Sequence, residues 1–258
     1  TVELTRPVVN PDGTVGTEVY TVLGRVSLHL GSPNGISEPV WSSYGFHEYQ
    51  EYATRVSTAG DVNGDGFDDV MIGSPHIGPA GMVQLFLGGP DGLSSEPVWT
   101  YEGQTRLGGF GGGFGSGLAA VGDVDSDGFD DVMIRAPFED GAAGDSTGRV
   151  YLFHGSSVFG LHEEPELILE GDEEFLMFGS DIAALGDMNG DGFGDVAVSL
   201  AGYTGPQGGS GAVYVFFGQE DGIGTAPRLI PPKPDSREFG WEIAAGGDVD
   251  GDGFDDLL

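Results

Sequence analysis

Oxygen-bearing side chains recur at fixed places in a nine-residue segment that occurs four times in this 258-residue chain. The copies read Asp61-Val-Asn-Gly-Asp-Gly-Phe-Asp-Asp69, Asp123-Val-Asp-Ser-Asp-Gly-Phe-Asp-Asp131, Asp187-Met-Asn-Gly-Asp-Gly-Phe-Gly-Asp195 and Asp248-Val-Asp-Gly-Asp-Gly-Phe-Asp-Asp256. Positions 1, 3, 5 and 9 supply candidate metal ligands: Asp61, Asn63, Asp65 and Asp69; Asp123, Asp125, Asp127 and Asp131; Asp187, Asn189, Asp191 and Asp195; Asp248, Asp250, Asp252 and Asp256. Hard Ca²⁺ takes about six to eight oxygen ligands and tolerates irregular geometry, so a curled loop with alternate oxygens suits it. Gly66, Gly128, Gly192 and Gly253 at position 6 permit the sharp turn. The position-7 residues Phe67, Phe129, Phe193 and Phe254 are expected to give a backbone carbonyl while the ring packs inward. Position 8 is Asp68, Asp130 and Asp255 but Gly194 in the third copy, so those side chains are expected to point outward. The expectation is up to four bound Ca²⁺ ions.

Three or four carboxylates gathered in one loop repel one another unless a cation joins them, so metal binding should be coupled to local folding. An EF-hand would need a Glu at position 12 and flanking helices. Position 12 here is Ile72, Ile134 or Val198, and strand-like residues come after it. Magnesium usually keeps several waters rather than filling a protein cage, and zinc would call for Cys or clustered His.

The elements around the loops repeat as well. The loop starts lie 62, 64 and 61 residues apart. Phe114-Gly115, Phe178-Gly179 and Phe239-Gly240 precede three of them, and Tyr52-Ala53 stands at the corresponding place in the first. Apolar runs come after the loops: Val70-Met-Ile72, Val132-Met-Ile134 and Val196-Ala-Val198. The runs lead into Gly73-Ser-Pro75, Arg135-Ala-Pro137 and Ser199-Leu-Ala201. A third strand signal comes next, at Gly81–Leu87, Gly148–Phe153 and Gly211–Phe216, with an earlier relative at Gly24–Leu30. Turn chemistry at Pro33-Asn-Gly35, Pro90-Asp-Gly92 and Glu220-Asp-Gly222 leads to a fourth, at Glu38-Pro-Val-Trp41, Glu96-Pro-Val-Trp99 and Glu166-Leu-Ile-Leu169. Helical periodicity is absent and Gly or Pro interrupts the longer stretches.

Four short strands per period of about 60 residues predict an all-β chain, a β-propeller of four-stranded blades with about four repeats present. The expected division is a partial blade at 24–42, blades at 52–103, 114–170 and 178–230, and the start of another at 239–258. Strand patterns precede the first loop, and the last loop lies against Leu258. The expectation is therefore part of a larger propeller, with the alternative that the terminal strand pairs join to close a small ring.

Composition limits the functions. The formal charge is −33, from 42 acidic and 9 basic residues with Lys233 the single lysine, which argues against nucleic acid as a partner. There is no cysteine, so disulfides and thiolate metal sites are excluded. No apolar run is long enough for a membrane span. Thr1 opens the sequence without Met or a signal peptide, as expected of a processed or excised segment.

Phe-Gly, the Asp-x-Asn-Gly-Asp-Gly loop and the Gly-Ala-Pro-like residues, in that order, resemble the FG-GAP repeat of integrin α-subunit β-propellers and of bacterial secreted proteins. The resemblance implies a calcium loop between the first and second strands of each blade and a propeller that usually has seven blades. Millimolar extracellular calcium would make such loops usable without high affinity, so a secreted or cell-surface setting is expected.

No catalytic constellation accompanies these repeats, and the chain is not expected to be an enzyme. His29, His47, His76, His154 and His162 share no motif. Phe110-Gly-Gly-Gly-Phe-Gly115 carries no Lys and reads as a connection, and four repeated Asp loops are too many for one active site. Trp41 and Trp99 recur in matching motifs that suit blade packing, whereas Trp241 breaks the pattern and could face the axis or a ligand. The reading is a calcium-stabilised extracellular scaffold for adhesion or protein–protein interaction, whose ligand is unknown. The alternatives are a carbohydrate-binding or carbohydrate-processing module, and a subunit that self-associates through open blade edges. The loops over 104–113, 138–147 and 203–210 differ among copies, which favours an extended protein partner.

Overall fold

A computed structural model describes residues 2–9, 15–22, 24–32, 35–45, 52–104, 111–172, 176–206 and 208–258, and among them every regular element is a β-strand. His47 and Phe110 lie outside the described residues. Strands β1 (Val2–Val9) and β2 (Val15–Val22) pair as one hairpin, and β3 (Arg25–Ser32) and β4 (Gly35–Tyr44) as another. The first four-stranded sheet comprises β5 (Arg55–Gly60), β6 (Asp69–Ser74), β7 (Met82–Phe86) and β8 (Trp99–Glu102), antiparallel and in chain order.

The second sheet is built from β9 (Gly117–Gly122), β10 (Asp131–Ala136) and β11 (Arg149–Phe153). A small hairpin of β12 (Gly155–Ser156) and β13 (Gly160–Leu161) comes next, and β14 (Leu167–Glu170) completes the sheet. The third sheet repeats this plan with β15 (Phe178–Gly186), β16 (Asp195–Thr204) and β17 (Ser210–Phe216). Its small hairpin is β18 (Gly218–Gln219) with β19 (Gly222–Ile223), and β20 (Arg228–Ile230) closes it. Strands β21 (Ala245–Gly247) and β22 (Asp256–Leu257) form a last pair. The β3–β4 and β21–β22 pairs remain separate two-stranded sheets, so they do not combine into a closing blade.

Burial explains the sequence patterns. Strand β10 is buried on both faces along nearly its whole length, so it reads as a continuous apolar run rather than an alternation. The first strands of successive sheets lie side by side, β5 with β9, β9 with β15 and β15 with β21. Each apolar cluster is shared between neighbouring sheets. Met71, Val83, Leu85 and Trp99 of the first pack with Ile134, Tyr151 and Phe153 of the second. Met133, Val150 and Leu152 of the second pack with Val196, Val198 and Phe216 of the third. Trp41 meets Phe86 edge-on at 5.0 Å and Trp99 meets Phe153 at 5.1 Å, so both indoles are sheet-to-sheet packing. Radially packed four-stranded sheets of this kind are propeller blades.

The Phe-Gly pairs sit at the start of the first strands. Phe114 and Phe178 are buried, and Gly115 and Gly179 adopt φ of 82° and 80°. Ala53 takes the same left-handed conformation at φ 58°, where a Cβ is unfavourable.

Candidate metal centres

Each Asp loop joins the first and second strands of a sheet, and each of these strand pairs carries a register shift beside its loop. Such a bulge bends the strand and re-aims the loop residues beyond it. In the first loop the Asp65 N–H donates to Asp61 Oδ1 at 2.9 Å and to Asn63 Oδ1 at 3.0 Å, so both oxygens converge. Gly66 N–H donates to Asp61 Oδ2 at 2.8 Å, and Phe67 N–H to Asp65 Oδ1 at 3.0 Å. The same four bonds recur in the second loop around Asp123, Asp125 and Asp127. They recur again around Asp187, Asn189 and Asp191, and around Asp248, Asp250 and Asp252.

The ninth residue starts the second strand and is held from two sides. Asp69 Oδ2 accepts from Val62 N–H at 3.0 Å and Oδ1 from Gly88 N–H at 2.7 Å. Asp131 is bound likewise by Val124 and Gly155, and Asp195 by Met188 and Gly218. Asp256 accepts from Val249 N–H at 3.0 Å. Gly88, Gly155 and Gly218 each come just after a third strand, and there the chains run too close for a side chain. A Cβ at Gly155 would lie 2.5 Å from the Asp130 carbonyl oxygen. Asp69, Asp131 and Asp195 are fully or almost fully buried.

Two groups of three carboxylates stand close enough to share a cation: Asp123 with Asp125 and Asp131, and Asp248 with Asp250 and Asp256, their ligand atoms within 4.8 Å of one another. Asp127 and Asp252 lie outside those triplets. In the first and third loops the position-3 amide turns its Nδ2 to the position-5 carboxylate, Asn63 to Asp65 at 3.0 Å and Asn189 to Asp191 at 2.8 Å. Burial, opposed by the backbone bonds from Gly88 and Val62, pushes Asp69 up to about 6. Burial likewise raises Asp131 to about 6, against the bonds from Gly155 and Val124. Asp127 and Asp195 also rise, through burial first, with the charges of their own loop adding to the shift. These are electron-rich, crowded oxygen sets, and the donor chemistry fits a hard cation.

Two expectations need correction. The position-8 side chains do not simply point outward: Asp130 Oδ2 accepts from Asp61 N–H at 2.8 Å, and Asp255 Oδ2 from Asp187 N–H at 2.9 Å. They reach the preceding loop across the seam between neighbouring sheets. The position-7 rings are not inward either. Phe67 and Phe254 are 42% and 45% exposed. The Phe129 ring lies over Gly64 and the Phe254 ring over Gly190, where an added Cβ would meet ring carbons at 2.8 and 2.5 Å. Each ring covers the fourth residue of the loop before it. His154, buried, places Nδ1 2.9 Å from Asp125 Oδ2, a support that its place beside the third strand did not signal. The glycine after each third strand was a usable signal, because it recurs in all three copies.

Family models carry the decision. The FG-GAP repeat model matches residues 52–86 and 114–153, and the FG-GAP-like repeat model matches 187–258. The chain belongs to the FG-GAP repeat family. Among curated proteins this FG-GAP chain is 34% identical over 237 residues to Integrin alpha pat-2 of Caenorhabditis briggsae, covering 84% of this chain and 18% of that protein. It is 33% identical over 219 residues to Integrin alpha-5 of Xenopus laevis, covering 77% and 19%. To Integrin alpha-IIb of Homo sapiens it is 38% identical over 148 residues, covering 54% and 14%. The FG-GAP chain thus spans about a fifth or less of the length of these relatives. Among the described residues no helix is long and apolar enough to cross a membrane.

Proposed function

We propose that this FG-GAP chain is a calcium-stabilised, extracellular β-propeller scaffold for adhesion or protein–protein interaction, without enzymatic activity. The observation that carries the reading is a contrast between the two ends of the sheets. At one end the metal loops 61–68, 123–130, 187–194 and 248–255 are all eight residues long. At the other, the loops joining second to third strands, 75–81, 137–148 and 205–209, run to 7, 12 and 5 residues. A constant end serves the framework, and a variable end on a rigid framework serves recognition. The integrin names of the relatives and their identity over most of the chain support the same assignment.

In this reading Ca²⁺ is held by the position 1, 3, 5 and 9 side chains named above and by the carbonyls of Phe67, Phe129, Phe193 and Phe254. The ion would neutralise the crowded carboxylates and fix the turn between first and second strands. Residues 52–103, 114–170 and 178–230 are blades, and 24–42 and 239–258 belong to further blades of a larger ring. Extracellular calcium, in the millimolar range, would fill such loops without high affinity. The test is isothermal calorimetry with Ca²⁺, paired with binding of the labelled chain to immobilised extracellular matrix proteins in calcium and in chelator. Saturable calcium uptake with chelator-sensitive protein binding is expected; no calcium uptake, or calcium uptake without any protein binding, would sink the reading.

A further inference from the structure

A cavity of about 880 Å³ opens at the end of the sheets opposite the metal loops, where the first strands converge. Its wall includes Arg55, Arg135, Asp181, Phe138, Met177 and Trp241. Two of the chain's nine basic residues therefore meet here, in a protein of net charge −33.

The two guanidinium groups are brought together by one acceptor. Arg55 Nε donates to the Ser116 carbonyl at 2.9 Å, and Arg135 Nη2 donates to the same oxygen at 3.2 Å. Arg135 occupies the place that Gly73 and Ser199 hold in the neighbouring sheets, so the fold does not require an arginine there. Its side chain passes over Gly117, where an added Cβ would lie 2.1 Å from Nε. Asp181 approaches Arg135 at only 3.5 Å and is also engaged by the Ile243 N–H at 3.0 Å. Arg55 bonds otherwise to the Thr54 carbonyl. Arg135 Nε and Ser116 Oγ are buried and have no hydrogen-bond partner. Beside this polar wall Trp241 is 62% exposed and Phe138 is also exposed.

We infer that the cavity receives an acidic side chain of a protein partner, its carboxylate held by Arg55 and Arg135 and an adjoining apolar side chain laid against Trp241 and Phe138. Planar guanidinium forks suit a carboxylate. An acidic sugar offers the same charge, but its ring hydroxyls would face the apolar surfaces of Met177, Phe138 and Trp241, so a short acidic–apolar peptide fits better. Glu242, also on the wall, is the like charge that the two arginines must outweigh. This deepens the interaction-scaffold reading and rests on it.

The experiment titrates the full chain in calcium with the capped peptide acetyl-Gly-Glu-Leu-Gly-amide and monitors Trp241 fluorescence, with Trp241→Phe as the signal control. Saturable change is expected, weakened about tenfold or more when the peptide Glu is replaced by Gln or when Arg55 is changed to Gln. Glu242→Gln should tighten it. Arg55 is exposed, so its variant should still fold, with a cooperative melt as the control. No saturable change, or equal affinity for the Gln peptide, overturns the inference. Arg55-dependent binding of glucuronate with the peptide silent would assign an acidic sugar instead. If the intact Arg55→Gln chain still binds its matrix protein at full strength, the cavity assignment falls while the scaffold reading stands.

Discussion

The carboxylate of Asp130 accepts a hydrogen bond from the backbone N–H of Asp61 at 2.8 Å, joining the second Asp loop to the first. Asp255 does the same for Asp187. In both pairs the backbone closes a second bond in return, Asp130 N–H to the Asp61 carbonyl at 3.1 Å and Asp255 N–H to the Asp187 carbonyl at 3.3 Å. Between the second and third loops Gly194 has no side chain to make this connection, and Ser126 replaces the position-4 glycine with φ 61°.

Asp130→Ala should therefore lower stability by about 1 kcal/mol, the scale of one partly exposed hydrogen bond to a charged group. The loss should be the same in calcium and in chelator, because the bond is not to the metal. Conversely, Gly194→Asp should add a comparable amount by offering the Asp123 N–H the same partner. Urea unfolding midpoints measure both, and a calcium-dependent Asp130 effect would contradict the assignment.

Asp127→Ala should behave in the opposite manner. Its cost should be larger in calcium than in chelator, where only the bond from the Phe129 N–H is lost. A site saturated about 100-fold above its dissociation constant contributes about 2.7 kcal/mol. Thermal melts of parent and variant with and without calcium decide this.

The pH response should depend on calcium. Without it, burial holds the folded Asp69 and Asp131 carboxyls up to about 6, against an ordinary 3.8. Between those values the folded chain carries more protons than the unfolded one, so stability falls as pH rises from about 4 through about 6 and then levels. Calcium requires ionised carboxylates, so its stabilisation should grow over the same window with release of protons. Melts across pH in chelator should slope downward there; an upward slope from these two groups would refute the argument.

Ala53→Gly should raise stability by about 1 kcal/mol by removing a Cβ from a left-handed backbone, less the extra freedom that glycine gives the unfolded chain. Gly115→Ala, placing a Cβ 2.8 Å from a Val83 methyl, should do the reverse and by more. Denaturant titrations of the pair test the sign.

The strands and the Asp loops were legible because both are local. Asp61 to Asp69 carries its own turn chemistry, and Val132-Met-Ile134 carries its own apolar run. What lay beyond reading was contact between repeats. Asp130 meets Asp61 across 69 positions, and nothing in a single copy distinguishes a solvated Asp from one that crosses a seam. Arg135 could be seen as a departure from glycine, but its meeting with Arg55 at the Ser116 carbonyl depends on the packing of two sheets.

Cores shared between sheets also set a timetable. Trp99 leaves the ribosome 54 residues ahead of Phe153, the ring that covers it. At about 5–20 residues per second the indole waits about 3–11 s for that cover. Each nascent blade thus passes through an interval with one apolar side bare.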